Sequence, residues 1–126
     1  MKRSTILQPL SRDHHRALVL AKACERAALS GVAADVALLC ERAVREFAAE
    51  LAPHFETEER ELLPLLRGDA GQSLATRTLA DHQLLRRLQD GLRRHDAETL
   101  RNFGLHLTAH VRFEERELFP ALEALL

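Results

Sequence analysis

Apolar residues recur every three or four positions along most of this chain, and one such stretch is written twice. FAAELAPHFETEERELLPLL begins at Phe47 and FGLHLTAHVRFEERELFPAL begins at Phe103. Matched places hold Phe47 and Phe103, Leu51 and Leu107, His54 and His110, Glu58 and Glu114, and Pro64 and Pro120. A spacing of three and four is that of an amphipathic α-helix. Both stretches therefore read as helices whose apolar stripe runs through a histidine and a glutamate. Five Gly, four Pro and no Trp or Tyr leave a chain dominated by Ala, Leu, Arg and Glu, the strong helix formers.

Start and stop signals divide the chain into four helices. The first is predicted to open between Pro9 and Ser11, with Ser11 as its cap, and to close before Gly31. The second runs from about Asp35 to Pro64, with a kink at Pro53 where a backbone donor is missing. The third is expected after Ser73 as cap and fades between Gly91 and His95, and the fourth opens at Asp96 and runs to Pro120. The links, Gly31 to Ala34, Gly68 to Gln72 and His95 to Asp96, are short. Short links make neighbours antiparallel, so the expected fold is all-α, an up-down-up-down antiparallel four-helix bundle forming a single domain over 1–126.

Each helix turns one histidine inward. His54 shares a stripe with Val36, Cys40, Ala43, Phe47, Leu51, Glu58, Leu62 and Leu65, and His110 with Leu100, Phe103, Leu107, Glu114 and Leu118. His82 aligns with Leu74, Thr78, Leu85 and Leu92. His14 aligns with Leu7, Leu10, Leu18, Ala21 and Ala28 and is preferred to His15, although Leu18 could equally define a face for His15. In an antiparallel bundle these four levels coincide. A lone inward histidine is ordinarily a hydrogen-bonded core residue. Four of them beside two carboxylates are not, because buried carboxylates without cations cost several kcal/mol each. Residues at i and i+4 lie roughly 5–6 Å apart on one helix face, so His54 with Glu58 and His110 with Glu114 can each address one metal. Four imidazoles and two carboxylates exceed one tetrahedral zinc and suit two ions with bridging carboxylates: iron first, with manganese or zinc as lesser fits.

A formal charge of −1 gives no electrostatic case for nucleic acid or an anionic membrane. No apolar run approaches the roughly 18 residues of a membrane-spanning helix, and the start, MKRSTILQPLSRDHH, contains no leader-like apolar segment. Cys24 and Cys40 lack metal-type spacing. A cytoplasmic protein with reduced thiols is expected. Glu59, Glu61, Glu115 and Glu117 are expected in solvent or paired with Arg60 and Arg116, and His95 exposed at a helix end. His106, one turn before His110 on a buried or half-buried stripe, is expected to hydrogen-bond nearby rather than hold a metal.

The set DHH near the start, HFETEE ending in LLP, DHQLL, and HVRFEE ending in LFP resembles the hemerythrin-like family with HHE cation-binding domains, over essentially the whole chain. The resemblance implies a four-helix bundle holding a non-haem di-iron centre. The implied ligands are His14, His54, Glu58, His82, His110 and Glu114. The oxygen-carrying hemerythrins place two histidines one turn apart on their third helix. Here Thr78 and Arg86 flank His82, and the fourth helix has Glu four residues after its His where carriers commonly have Asp at five. The resemblance thus implies one imidazole fewer than in the carriers.

Three functions fit this reading. The first is binding or sensing dioxygen, NO or peroxide, or handling iron, with a protein partner or homodimer receiving any signal. The second is an enzyme consuming peroxide or nitric oxide at the same centre. The third is a helical interaction module that binds zinc or no metal. The absence of Tyr removes the obvious phenolic radical or proton donor and favours a binding protein over a dedicated enzyme. Metal is expected to leave as pH falls through the region near 6, where free imidazole titrates.

Overall fold

The computed structural model describes residues 3–126 and places nearly all of them in four helical runs, with no strand among the described residues. We call these α1 (Gln8–Ser30), α2 (33–65), α3 (Gly68–Arg93) and α4 (97–123). They form an all-α helical bundle.

Two boundaries lie where the sequence signals put them. α1 ends at Gly31, whose φ of 71° is left-handed, a conformation that costs least without a Cβ. α4 opens at Asp96, whose carboxylate accepts the Thr99 backbone N–H at 2.9 Å. Two expected caps are not used as caps. α1 begins at Gln8, with Pro9 in the first turn where its missing donor has no partner to lose, and the Ser11 hydroxyl donates to Glu115 at 2.9 Å. α3 begins at Gly68, not after Ser73, so the expected Gly68–Gln72 loop is its first turn, with Asp69 complementing the helix dipole.

Pro53, Pro64 and Pro120 do not interrupt their helices at random. Each follows a widened π-turn: Phe47–Leu51, Glu58–Leu62 and Glu114–Leu118. In each turn an N–H reaches back five residues, from Ala52 to Phe47, Leu63 to Glu58 and Phe119 to Glu114. The carbonyl that each proline ring would strike, four residues back, lies inside that turn, and widening it removes the clash. The expected kink at Pro53 is therefore a bulge in a continuous helix. The extra residue also shifts the buried phase. Leu66 is buried where the regular stripe predicted Leu65, which is exposed.

Two apolar clusters fill the bundle. One gathers Cys24, Cys40, Phe47, Phe103 and Leu107, and the other Leu7, Leu10, Leu62, Phe119 and Leu122. Both cysteines are free and buried. In α1, Ala17, Leu20 and Cys24 take core places, while Leu18 and Ala28, expected inside, are half-buried. The motif histidines and glutamates lie where one cluster gives way to the other along each helix.

α1 and α4 approach closely at Gly104, where a Cβ would stand 2.7 Å from the Ala21 carbonyl oxygen and 2.8 Å from Glu25 Cγ. Gly104→Ala should therefore lower stability by about 1–3 kcal/mol, seen as a lower urea midpoint at unchanged slope. A midpoint equal to wild type would show that the helices part there without cost.

Candidate metal centre

His14, His54, Glu58, His82, His110 and Glu114 are all buried at one level, and Glu58, His82 and Glu114 are 0 % exposed. His15 faces solvent. Each glutamate pairs with one histidine of its own helix and one of a neighbouring helix. His54 Nε2 lies 3.1 Å from Glu58 Oε2 and His82 Nε2 lies 2.9 Å from Glu58 Oε1. His14 Nε2 lies 2.7 Å from Glu114 Oε1 and His110 Nε2 lies 3.3 Å from Glu114 Oε2. Each glutamate thus directs one oxygen toward each half of the centre. One half is His14, His54, Glu58 and Glu114, the other Glu58, His82, His110 and Glu114, and in each the four donor atoms lie within 4.8 Å of one another.

The central atoms are not satisfied by one another. Glu58 Oε1, His82 Nε2, His110 Nε2 and Glu114 Oε2 are buried without a hydrogen-bond partner, despite the short separations, because the groups are not aligned for hydrogen bonding. Leaving a buried polar atom unpaired costs about 1–3 kcal/mol, more for a charged group. A cation between these nitrogens and oxygens satisfies all of them together, so the residues present fit a metal.

The outer ring nitrogens show what spacing did not. His14 Nδ1 faces Glu115 at 2.6 Å, His54 Nδ1 faces Asp13 at 3.2 Å, His82 Nδ1 faces Glu59 at 2.6 Å and His110 Nδ1 faces Asp81 at 2.9 Å. A carboxylate only accepts, so Nδ1 donates to it, and a ring that gives up its other proton to bind a cation turns its Nε2 lone pair toward the centre. Glu59 and Glu115 therefore do not belong to the solvated helix surface as expected; each turns onto a histidine from a different helix. Glu61 and Glu117 are exposed, and Arg60 pairs with Glu56 at 3.7 Å. The available signal was repetition: Asp precedes His at 13–14 and 81–82, and Glu follows Glu at 58–59 and 114–115.

Without a cation, protons hold this cluster together. Burial opposes the charged form of His54, but donation to Glu114 and Glu58 and attraction to their charge outweigh it and lift its pKa to about 11. His110 rises to about 9, burial being outweighed by Glu114 and Asp81, and His14 rises through Glu114 and Glu115 against the same penalty. The hydrogen bond from His14 holds Glu115 at about 2. Burial and the neighbouring Glu114 charge raise Glu58. Burial also acts on Glu114, but the His110 charge and its hydrogen bonds hold it well below the usual carboxylate range.

Aromatic rings pack against the imidazoles. Phe55 stacks on His82 with centroids 3.8 Å apart, and Phe119 on His14 at 5.0 Å. His106 is exposed and makes no side-chain hydrogen bond among the described residues. Leu107 and Phe103 take the interior face of that turn and leave position 106 on its rim, which corrects the expected half-buried contact. Thr78 is buried but donates to the Leu74 carbonyl at 2.8 Å, and Arg86 pairs with Glu59 at 3.0 Å. Neither position flanking His82 offers a nitrogen lone pair. His95 is exposed at the end of α3, as expected, with φ 59° and Glu41 at 3.2 Å.

A family model described as the hemerythrin HHE cation binding domain matches residues 5–122. The chain belongs to the hemerythrin HHE family. No curated protein and no solved structure matched it. This hemerythrin-like protein is a metal-binding protein: the matched cation-binding domain spans the two buried His and Glu groups that could hold a metal ion. No helix is long and apolar enough to cross a membrane among the described residues.

Proposed function

We propose that His14 and His54 hold one iron ion, His82 and His110 a second, and that Glu58 and Glu114 are shared between them. The observation carrying this reading is that each glutamate presents one oxygen to each half, while four of the central atoms lack any other partner. Manganese and zinc suit the same donor types, but imidazole with carboxylate favours iron. Ferrous iron held by these residues would supply electrons to dioxygen, nitric oxide or peroxide. The protein holds the Nδ1 protons outward on four carboxylates, and apolar clusters on either side limit water. We read the function as binding or sensing such ligands, or handling iron.

The proposal includes the topology that brings the six residues level. Arg16 meets Glu50 where Asp13 meets His54; Ser4 meets Glu123 where His14 meets Glu114; Arg77 packs on Phe113 where Asp81 meets His110; Glu41 meets His95 where Glu58 meets His82. Partner numbers fall as residue numbers rise in every pairing, which supports an up-down-up-down antiparallel bundle acting as one hemerythrin-like domain over 1–126. Two free buried thiols fit a reducing compartment, and we place the protein in the cytoplasm.

Metal analysis of anaerobically purified protein, with optical spectra before and after air, tests the reading. Two iron ions per chain, with near-ultraviolet absorption developing in air, are expected. One zinc ion per chain and an unchanged spectrum would sink the di-iron proposal and favour a zinc-binding helical module.

A further inference from the structure

Arg3 and Arg86 occupy matching positions around the centre although they come from unmatched places in the chain. Arg3 precedes α1, whereas Arg86 lies one turn beyond His82 within α3. Arg3 Nη2 donates to Glu115 Oε1 at 3.0 Å and to the Glu115 carbonyl at 2.8 Å. Glu115 accepts from His14 Nδ1, and the Arg3 guanidinium lies 5.6 Å from the centroid of Phe119, the ring stacked on His14 at 15°. Across the centre, Arg86 Nη2 lies 3.0 Å from Glu59 Oε2, and Glu59 accepts from His82 Nδ1. The Arg86 guanidinium lies 5.8 Å from the centroid of Phe55, stacked on His82 at 9°. Each imidazole is held on its edge by a carboxylate and on its face by a ring, and one guanidinium reaches both holders.

Duplication does not account for this. Phe119 lies one turn after Glu115, whereas Phe55 lies one turn before Glu59; in the repeat, Phe119 matches Leu63 and Phe55 matches Val111. A helix pair copied only for packing would carry the arrangement at matched places. Here the same four-part arrangement is assembled from different ones, and what the two copies share is the histidine they hold.

We infer that Arg3 and Arg86 are positioning residues of the metal centre, each fixing the ring of one histidine, His14 or His82, so that Nε2 faces inward. This rests on the two-ion reading above. The physical reason is that Glu115 and Glu59 have side chains 34 % and 27 % exposed, so either carboxylate can swing into water unless a second partner holds its rotamer. A guanidinium does so with a charge-assisted bond in fixed geometry and adds a cation–π contact to the ring beside it. Arg77 acts similarly on the His110 side, 3.2 Å from Asp81. On the His14 side the Ser11 hydroxyl, 2.9 Å from Glu115 Oε2, is the further partner beside Arg3.

Titration of the metal-free protein with Co(II), followed by visible absorption, tests the assignment. Wild type should take up two ions. Arg3→Ala should weaken one of them by about 10–100-fold, the usual effect of losing an outer-shell partner, and spare the other. Arg86→Ala should weaken the other ion, and the double variant should weaken both, additively. Arg112→Ala, an exposed cation without an ion pair among the described residues, should match wild type. In the metal-free protein, the imidazole N–H resonance of His14 should lose its exchange protection in Arg3→Ala while that of His82 keeps it. Equal weakening of both ions by either single variant, or no weakening by both, overturns the assignment. A wild type that takes up no cobalt instead overturns the two-ion reading, and the N–H resonances then decide by themselves whether Arg3 orients His14.

Discussion

Glutamine in place of Glu58 or Glu114 is expected to abolish tight binding of both metal ions, because each carboxylate serves both halves of the centre. The substitution keeps the volume and one oxygen but removes the negative charge. The loss should exceed the about 10–100-fold typical of a partner outside the first shell. Glu59→Gln and Glu115→Gln should fall within that smaller range, since those carboxylates reach only the outer nitrogens of His82 and His14. Isothermal titration of each metal-free variant measures the difference. Loss of a single ion on Glu58→Gln, with the second bound normally, would mean that the carboxylate is not shared. Equal losses for all four variants would erase the distinction between the central and outer carboxylates.

Metal removal should convert a protein indifferent to mild alkali into one that loses stability there. In the metal-free cluster the His110 pKa is raised to about 9 and that of His54 to about 11, against about 6.5 for an unfolded chain. A raised imidazole contributes its full stabilisation below the unfolded value and loses it as pH rises through the folded one. The melting temperature of metal-free protein should therefore fall between about pH 7 and pH 10, while metal bound on these imidazoles would keep them neutral and should hold it steady. On the acid side, Glu115, lowered to about 2, contributes stability that is present above its unfolded value and is lost as pH falls through the folded one.

The same protons compete with metal. At neutral pH, metal must displace protons from His54 and His110, so apparent affinity should rise about tenfold per pH unit for each proton released. This moves the sensitive range upward from the region near 6 expected for free imidazole. Buffer-dependent titration heats count the protons directly. Metal uptake without proton release at neutral pH would show that the histidines are already neutral.

The periodic pattern by itself was enough to place four helices, to align His14, His54, His82 and His110 with apolar neighbours, and to prefer His14 over the exposed His15. These are local properties, because a helix repeats every 3.6 residues and the residue that shares a stripe with leucines shares their burial. Helix caps were legible only where one feature dominated, as at Gly31 and Asp96. Ser11, expected as a cap, donates to Glu115 instead, and Ser73 lies inside a helix that opens at Gly68. The π-turns at Glu58 and Glu114 were announced only indirectly, by the prolines two residues beyond them.

What the sequence could not decide was which helix completes each contact. Glu59 and Glu115 read as ordinary surface charge because their partners, His82 and His14, are supplied by other helices. Nothing in the sequence singled out Phe55 and Phe119, on which the rings of His82 and His14 stack from other helices. Arg3 had no visible purpose from a position before the first helix. Periodicity reports the direction of a side chain relative to its own helix axis. The side chain it meets depends on the rotation and level of neighbouring helices, and only packing in three dimensions sets those.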